Sequence, residues 1–248
     1  MASPAASLSL LSLATGLREL VFPSACGACG APVAAGALFC GPCESLIEPL
    51  PASRCPLCGR PGPATACPAC AEAKPAYDAA WALARHSGPL AQAVRAFKYQ
   101  RRYWLGPALA RLLATTPRNG AAAELIAPVP LHPRRLLRRG FNQAAVLAQG
   151  LAGQTGIRLA PQLLRRLRHT PPQVGLDPAA RRANVAGAFG LGRGWAGRLD
   201  GASVLLIDDV FTTGATVAEC AQVLKQAGAA WVEVLTLVRA GGGNHEAG

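Results

Sequence analysis

From residue 77 onward, apolar runs and helical apolar stripes alternate along the chain. Tyr77 to Arg85 reads as a strand, and helices follow over about Pro89 to Lys98 and Leu105 to Ala114. Glu124 to Pro130 (ELIAPVP) predicts a buried strand, and Asn142 to Gly153 a helix. A basic stretch, Leu163 to Asn184, breaks the regularity, and Ala188 to Leu191 reads as a short strand. Ser203 to Ile207 (SVLLI) is an uninterrupted apolar run, as expected of a central parallel strand covered on both faces. Thr216 to Gln226 then predicts a helix and Ala230 to Val238 a last strand. This alternation predicts an α/β fold with a doubly wound, mostly parallel sheet, whose ligand sites lie beyond the carboxyl ends of the strands.

The first 76 residues follow other rules. Leu10, Leu13, Leu17, Leu20 and Val21 recur at helical spacing, which predicts a short amphipathic helix within residues 1–25. No basic residue precedes the apolar run Leu8 to Leu13, and Arg18 and Glu19 interrupt the next one, so neither a secretory signal nor a membrane span is expected there. No other segment approaches about twenty uncharged apolar residues, which places the protein in the cytoplasm.

Residues 26–74 hold too few apolar side chains to build a core. They do hold four Cys-x-x-Cys pairs: Cys26 and Cys29, Cys40 and Cys43, Cys55 and Cys58, Cys67 and Cys70. Without an export signal that regularity points to metal rather than to disulfides. Each knuckle sets two thiolates on one side of a turn, and two knuckles complete a tetrahedral zinc site. The short gaps favour two sequential sites over a cross-braced pair. All positions are thiolates, so the zinc is structural. The chain thus divides into a helix (1–25), a zinc module (26–74), an α/β domain (75–240) and a tail (241–248).

The formal charge is +12, with arginine clusters at Arg134, Arg135, Arg138 and Arg139 and at Arg165, Arg166 and Arg168. Either polyanionic partners or solvated surface arginines satisfy this composition. Trp81, Trp104, Trp195 and Trp231 are spread too widely to form an evident base-stacking platform.

The segment with the most chemistry is Val204 to Thr216, VLLIDDVFTTGAT. A hydrophobic strand brings Asp208 and Asp209 to its carboxyl end, and Val210, Phe211, Thr212, Thr213, Gly214, Ala215 and Thr216 form a loop that opens into a helix. Consecutive amides, threonine hydroxyls and the positive end of the helix make a cradle for a phosphate monoester. Gly214 lets the backbone turn closely around it. The two carboxylates repel phosphate, so they suit ribose hydroxyls or a magnesium ion.

This segment resembles the phosphoribosyl pyrophosphate signature of type I phosphoribosyltransferases. The four knuckles, Phe97-Lys98-Tyr99, Pro128-Val129-Pro130-Leu131-His132, Arg139-Gly140-Phe141-Asn142-Gln143, and Arg181 and Asn184 ahead of Gly187-Ala188-Phe189 resemble, in order, the ComF family. That family is associated with DNA uptake in natural competence and with DNA utilisation. The resemblance implies a C-terminal type I phosphoribosyltransferase domain behind a double zinc ribbon. It also implies diphosphate contacts from Lys98, Arg134, Arg135 and Arg139, and a substrate-covering loop over His169 to Asn184 whose Thr170, Gln173, Arg181 and Asn184 match the family pattern. Implied partners are phosphoribosyl pyrophosphate with magnesium, single-stranded DNA and the competence helicase or translocase machinery.

Three functions stay open at this point. One is a phosphoribosyltransferase with an unassigned acceptor, a nucleotide-salvage enzyme included. Another is a non-catalytic zinc protein that handles single-stranded DNA, with phosphoribosyl pyrophosphate as its regulator. The third, a sequence-specific regulator, lacks any visible DNA-reading element.

Overall fold

The computed structural model describes residues 24–118, 120–171 and 177–241. The helix expected within residues 1–25 falls almost wholly outside them, as does most of the tail. Five parallel strands form the central sheet: β1 (Ala79–Arg85), β2 (Leu125–Pro128), β3 (Arg158–Leu159), β6 (Ser203–Phe211) and β7 (Trp231–Arg239), in the order β1-β7-β6-β2-β3. A separate antiparallel pair, β4 (Leu164–Arg166) and β5 (Phe189–Leu191), lies in the basic region.

Strand alternation sends successive residues to opposite faces, so each central strand feeds two cores. Leu205, Ile207, Leu235 and Leu237 pack with Phe97, Leu109, Leu113, Leu147 and Leu151. These last come from α3 (Gly88–Tyr99), α4 (Gly106–Ala114) and α6 (Gln143–Thr155). On the other face Val204, Leu206, Val232 and Val234 pack with Cys220, Ala221 and Leu224 of α8 (Ala215–Gln226). Burial on both sides is why β6 and β7 read as continuous apolar runs.

The zinc module is a tandem repeat. In each half a knuckle turn is closed by a lone β-bridge, Ala25 to Pro32 and Arg54 to Pro61. The Cys26 and Cys55 carbonyls accept from Gly30 N and Gly59 N respectively, and both glycines stand at positive φ, which the turn requires. Each second knuckle opens a short helix with proline in its first turn, α1 (Gly41–Glu44) and α2 (Pro68–Glu72). The two halves then part company. Cys26 and Phe39 join the α3/α4 core, whereas Cys55, Cys58 and Cys70 join the α8 core.

The chain between the halves runs along the free edge of β1, with Leu50 N donating to Leu83 O and Arg85 N to Glu48 O. The module therefore clasps the sheet from both faces and covers an edge otherwise open to another strand.

One expectation needs correction. β6 does not end at Ile207 but continues to Phe211, because β7 pairs with Asp208, Val210 and Phe211 as far as Arg239. On its other side β2 stops at Pro128, opposite Ile207. The acid pair thus sits within a strand that has a partner on one edge only. Helices α5 (Pro133–Arg139) and α7 (Pro178–Val185) and the short strands β3 and β4 also go beyond the elements expected from pattern.

Candidate functional site

Where β2 leaves β6, a crevice opens at the carboxyl end of the sheet. The β2-to-β3 crossover runs through α6 on one face and the β6-to-β7 crossover through α8 on the other, the arrangement in which ligands bind between diverging connections. The cavity there measures about 580 Å³. Its floor carries Asp208, Asp209, Val210 and Phe211, and one wall carries Thr212, Gly214 and Thr216. Lys98 and Tyr99 of α3, Arg135, Arg138 and Arg139 of α5, Arg166 of β4 and Arg181 of α7 line the cavity as well.

The two acids have different surroundings. Asp209 is 4% exposed and faces α3, where Lys98 Nζ lies 2.9 Å from Oδ1 and 2.8 Å from Oδ2. Burial works against the Lys98 ammonium, but Asp209 outweighs it and raises the lysine's pKa. Asp208 faces the opposite side and is partly exposed. Burial, and then the neighbouring Asp209 carboxylate, push its pKa up to about 7. One Asp208 oxygen accepts from Asp209 N at 2.9 Å.

The threonine loop turns at Gly214, whose φ of +80° makes it a left-handed N-cap for α8. Thr213 Oγ1 accepts from Ala215 N at 3.4 Å. Gly214, with no side chain, offers no side-chain cap to the helix it starts.

Across the crevice α5 starts at His132, whose Nδ1 accepts from Arg134 N at 3.2 Å, and stops at left-handed Gly140. Asn142 ties the following turn to β2 by donating to Val129 O at 3.0 Å, and its Oδ1 caps α6. Arg139 donates to Gln143 at 2.7 Å and lies over the Tyr99 ring at 5.3 Å.

The eight knuckle cysteines gather into two sequential groups, Cys26/Cys29/Cys40/Cys43 and Cys55/Cys58/Cys67/Cys70, with all sulfurs of a group within 4.8 Å of one another. The Cys29–Cys40 and Cys58–Cys67 sulfur distances are both 3.6 Å. That is close to the edge of about 3.8 Å in a tetrahedron with zinc–sulfur bonds of about 2.3 Å. The donor sets fit structural zinc, and Cys26 and Cys55 are nearly closed to solvent.

Comparison with known proteins agrees with this organisation. Residues 17–73 match a double zinc ribbon domain family. Competence protein F of Haemophilus influenzae is 33% identical over 82% of this chain and 90% of its own length. The chain belongs to the ComF family. DNA utilization protein YhgH of Salmonella typhimurium is 35% identical over 89% of this chain and 99% of its own, and the Escherichia coli K12 protein of that name is 34% identical over the same shares. Among solved structures, a Bacillus subtilis glutamine phosphoribosylpyrophosphate amidotransferase aligns with a TM-score of 0.38 at 21% identity, covering 57% of this chain and 30% of that one. An adenine phosphoribosyltransferase from Thermoanaerobacter pseudethanolicus aligns with a TM-score of 0.31 at 18% identity, covering 61% and 84%.

Within this ComF-family chain, the crevice gathers Asp208, Asp209, the threonine loop, Lys98, Arg135, Arg139 and Arg181. Arg134 is exposed and does not line the cavity. Thr170 is fully buried, with Arg166 donating to its hydroxyl at 2.6 Å and Arg135 to its carbonyl at 2.8 Å, so it fastens two arginines beneath the rim. Asn184 donates to Pro171 O at 3.2 Å and accepts at its carbonyl from Arg168. Gln173 lies outside the described residues. Sequence reasoning did not single out Arg138, Arg166, Tyr99 or His86 as site residues. Arg135, Arg138 and Arg139 share one helix face at i, i+3 and i+4, a signal available only once α5 is known to be helical.

Proposed function

We propose that the crevice binds phosphoribosyl pyrophosphate. The observation that carries this is the Thr212–Thr216 turn at the start of α8, set beside Asp208 and facing the arginine side of α5. Amides at the helix start, favoured by its dipole, receive the 5-phosphate. Asp208, partly open to the cavity, accepts from a ribose hydroxyl, while Asp209 is held by Lys98. Arg135, Arg138 and Arg139 meet the diphosphate with charge-assisted hydrogen bonds. Magnesium, which the carboxylates suit, would neutralise charge on the departing diphosphate. Pentosyl transfer at ribose C1, with pyrophosphate leaving and an acceptor to be assigned, is the reaction such a site would run.

The test is titration calorimetry with magnesium on wild type and Asp208→Asn. Asp208 is the acid to change, because Asp209→Asn would strand the buried Lys98 ammonium and confuse binding with stability. Binding that Asp208→Asn abolishes is the expected result. Absent binding by wild type would remove the reading.

A second reading, single-stranded DNA binding in the cytoplasm, rests on a different observation. Tyr99, Tyr103 and Trp104 are 62–63% exposed beside the crevice, and the Tyr103 and Trp104 rings meet edge-on at 5.8 Å. The four tryptophans alone gave no platform; tyrosines supply the rest of this one. Arg101 and Arg102 lie next to it in the chain and Arg139 lies over the Tyr99 ring, and Glu124 is the sole acid between Asp78 and Asp177. Exposed rings among arginines suit unpaired bases on a phosphate chain. The relatives' names point the same way. An oligothymidylate should bind wild type with steep salt dependence, and Tyr103→Ala with Trp104→Ala should lose about tenfold in affinity. Unchanged affinity in that variant would remove the platform.

A further inference from the structure

β7 ends in a buried cation. Arg239 is 7% exposed and stands in register with Phe211 of β6. Among the described residues no carboxylate pairs with it. It reaches the second cysteine group instead: Nη1 donates to the Cys58 carbonyl, and Nη2 lies 3.8 Å from Cys58 Sγ. Four thiolates on a zinc ion carry a net charge of about −2, so a guanidinium at this place is the buried counter-charge of that centre.

The other side of the guanidinium covers the Phe211 ring, with Cζ 4.5 Å from its centroid. Phe211 meets Tyr77 edge-on at 6.2 Å, and the two rings close over Gly214. A Cβ on Gly214 would come within 2.8 Å of Phe211 Cζ and 3.1 Å of Tyr77 Oη. Contact is therefore continuous from Cys58 through Arg239 and Phe211 to the left-handed residue that starts α8. The first cysteine group belongs to the other core, with Phe39 and the α3 and α4 side chains, on the opposite face of the sheet.

We propose that Arg239 is a positioning residue that couples metal occupancy of the Cys55/Cys58/Cys67/Cys70 group to the shape of the Thr212–Thr216 loop. With metal bound, the thiolate centre holds the guanidinium in place over Phe211, and Phe211 holds the turn at Gly214. Without it, the buried Arg239 cation loses the doubly charged centre that balanced it, and such a group moves toward water and releases the ring it covered. The phosphate cradle then loses its support. This rests on the phosphate-loop reading for its functional meaning, but not for its physical test.

Three variants of the full chain separate the possibilities. Cys67→Ser opens the second group without touching Arg239's own contacts, Cys40→Ser opens the first, and Arg239→Met keeps much of the side chain's bulk while removing charge and donors. Zinc content, amide hydrogen exchange by mass spectrometry, and phosphoribosyl pyrophosphate titration are read on each. Cys67→Ser and Arg239→Met should both speed exchange across residues 211–216 and weaken ligand binding by about tenfold, a usual size for coupling between sites. Exchange across residues 204–207 should stay slow, and Cys40→Ser should leave the loop and the affinity at wild-type values. Coupling is reciprocal, so the ligand should also slow zinc release from the second group and not from the first.

Wild-type loop exchange in Arg239→Met would overturn the proposal, as would equal loosening by Cys40→Ser, which marks a global loss of stability. Should wild type fail to bind phosphoribosyl pyrophosphate, the ligand reading falls. The exchange measurement then decides the coupling by itself.

Discussion

Asp208 and Asp209 are adjacent in the chain and opposite in the sheet. Alternation along β6 turns Asp209 with Leu205 and Ile207 toward α3, where Lys98 waits, and turns Asp208 with Val204 and Leu206 toward α8. The first is ion-paired with Lys98, and the second stands partly open to the crevice. Asp208 has its pKa raised from 3.8 to about 7. Between about pH 4 and pH 7 the native state keeps a proton that the unfolded chain has released, so stability falls as pH rises through that window. Urea midpoints at about pH 5 and pH 8 should show this decline in wild type and a flatter profile in Asp208→Asn. Affinity for a ribose ligand, which needs the anion as acceptor, should rise over the upper part of the same window. The motif was legible as a pair of acids before a threonine loop. Their division of labour was not, because it depends on which helix covers which face.

At the scale of elements, α5 is the least legible part of the site. Pro133–Arg139 buries no side chain, so no apolar stripe announces a helix. Caps define it instead, His132 at one end and Gly140 at the other. Once formed, it directs Arg135, Arg138 and Arg139 to the crevice and leaves Arg134 exposed. Arg138→Gln should therefore weaken pyrophosphate binding by about tenfold, the loss of one charge-assisted hydrogen bond, and Arg134→Gln should not. Competition titrations with pyrophosphate would show the difference. The last residues of β6 are hard to read from pattern for a related reason. Asp208 to Phe211 look like a strand's end by pattern, yet β7 supplies them with backbone partners.

For the whole molecule, the zinc module and the sheet are one structure. The segment near Pro49 covers the β1 edge, and the two cysteine groups sit in the two cores. Stripping both metals with a chelator should uncover that edge, and light scattering should report association of the chains. By itself the sequence determined the four knuckles with a donor set fit for zinc, the parallel α/β sheet and the threonine-glycine turn into a helix, because each is written in local spacing: two thiolates per turn, apolar runs for doubly covered strands, glycine and threonine at a helix start. Only the tertiary structure decided which arginines share the crevice, which acid is paired, and that Cys58 and Phe211 meet through Arg239. Those contacts join residues up to 181 positions apart, and what brings them together is the order of strands in the sheet, a property no local pattern carries.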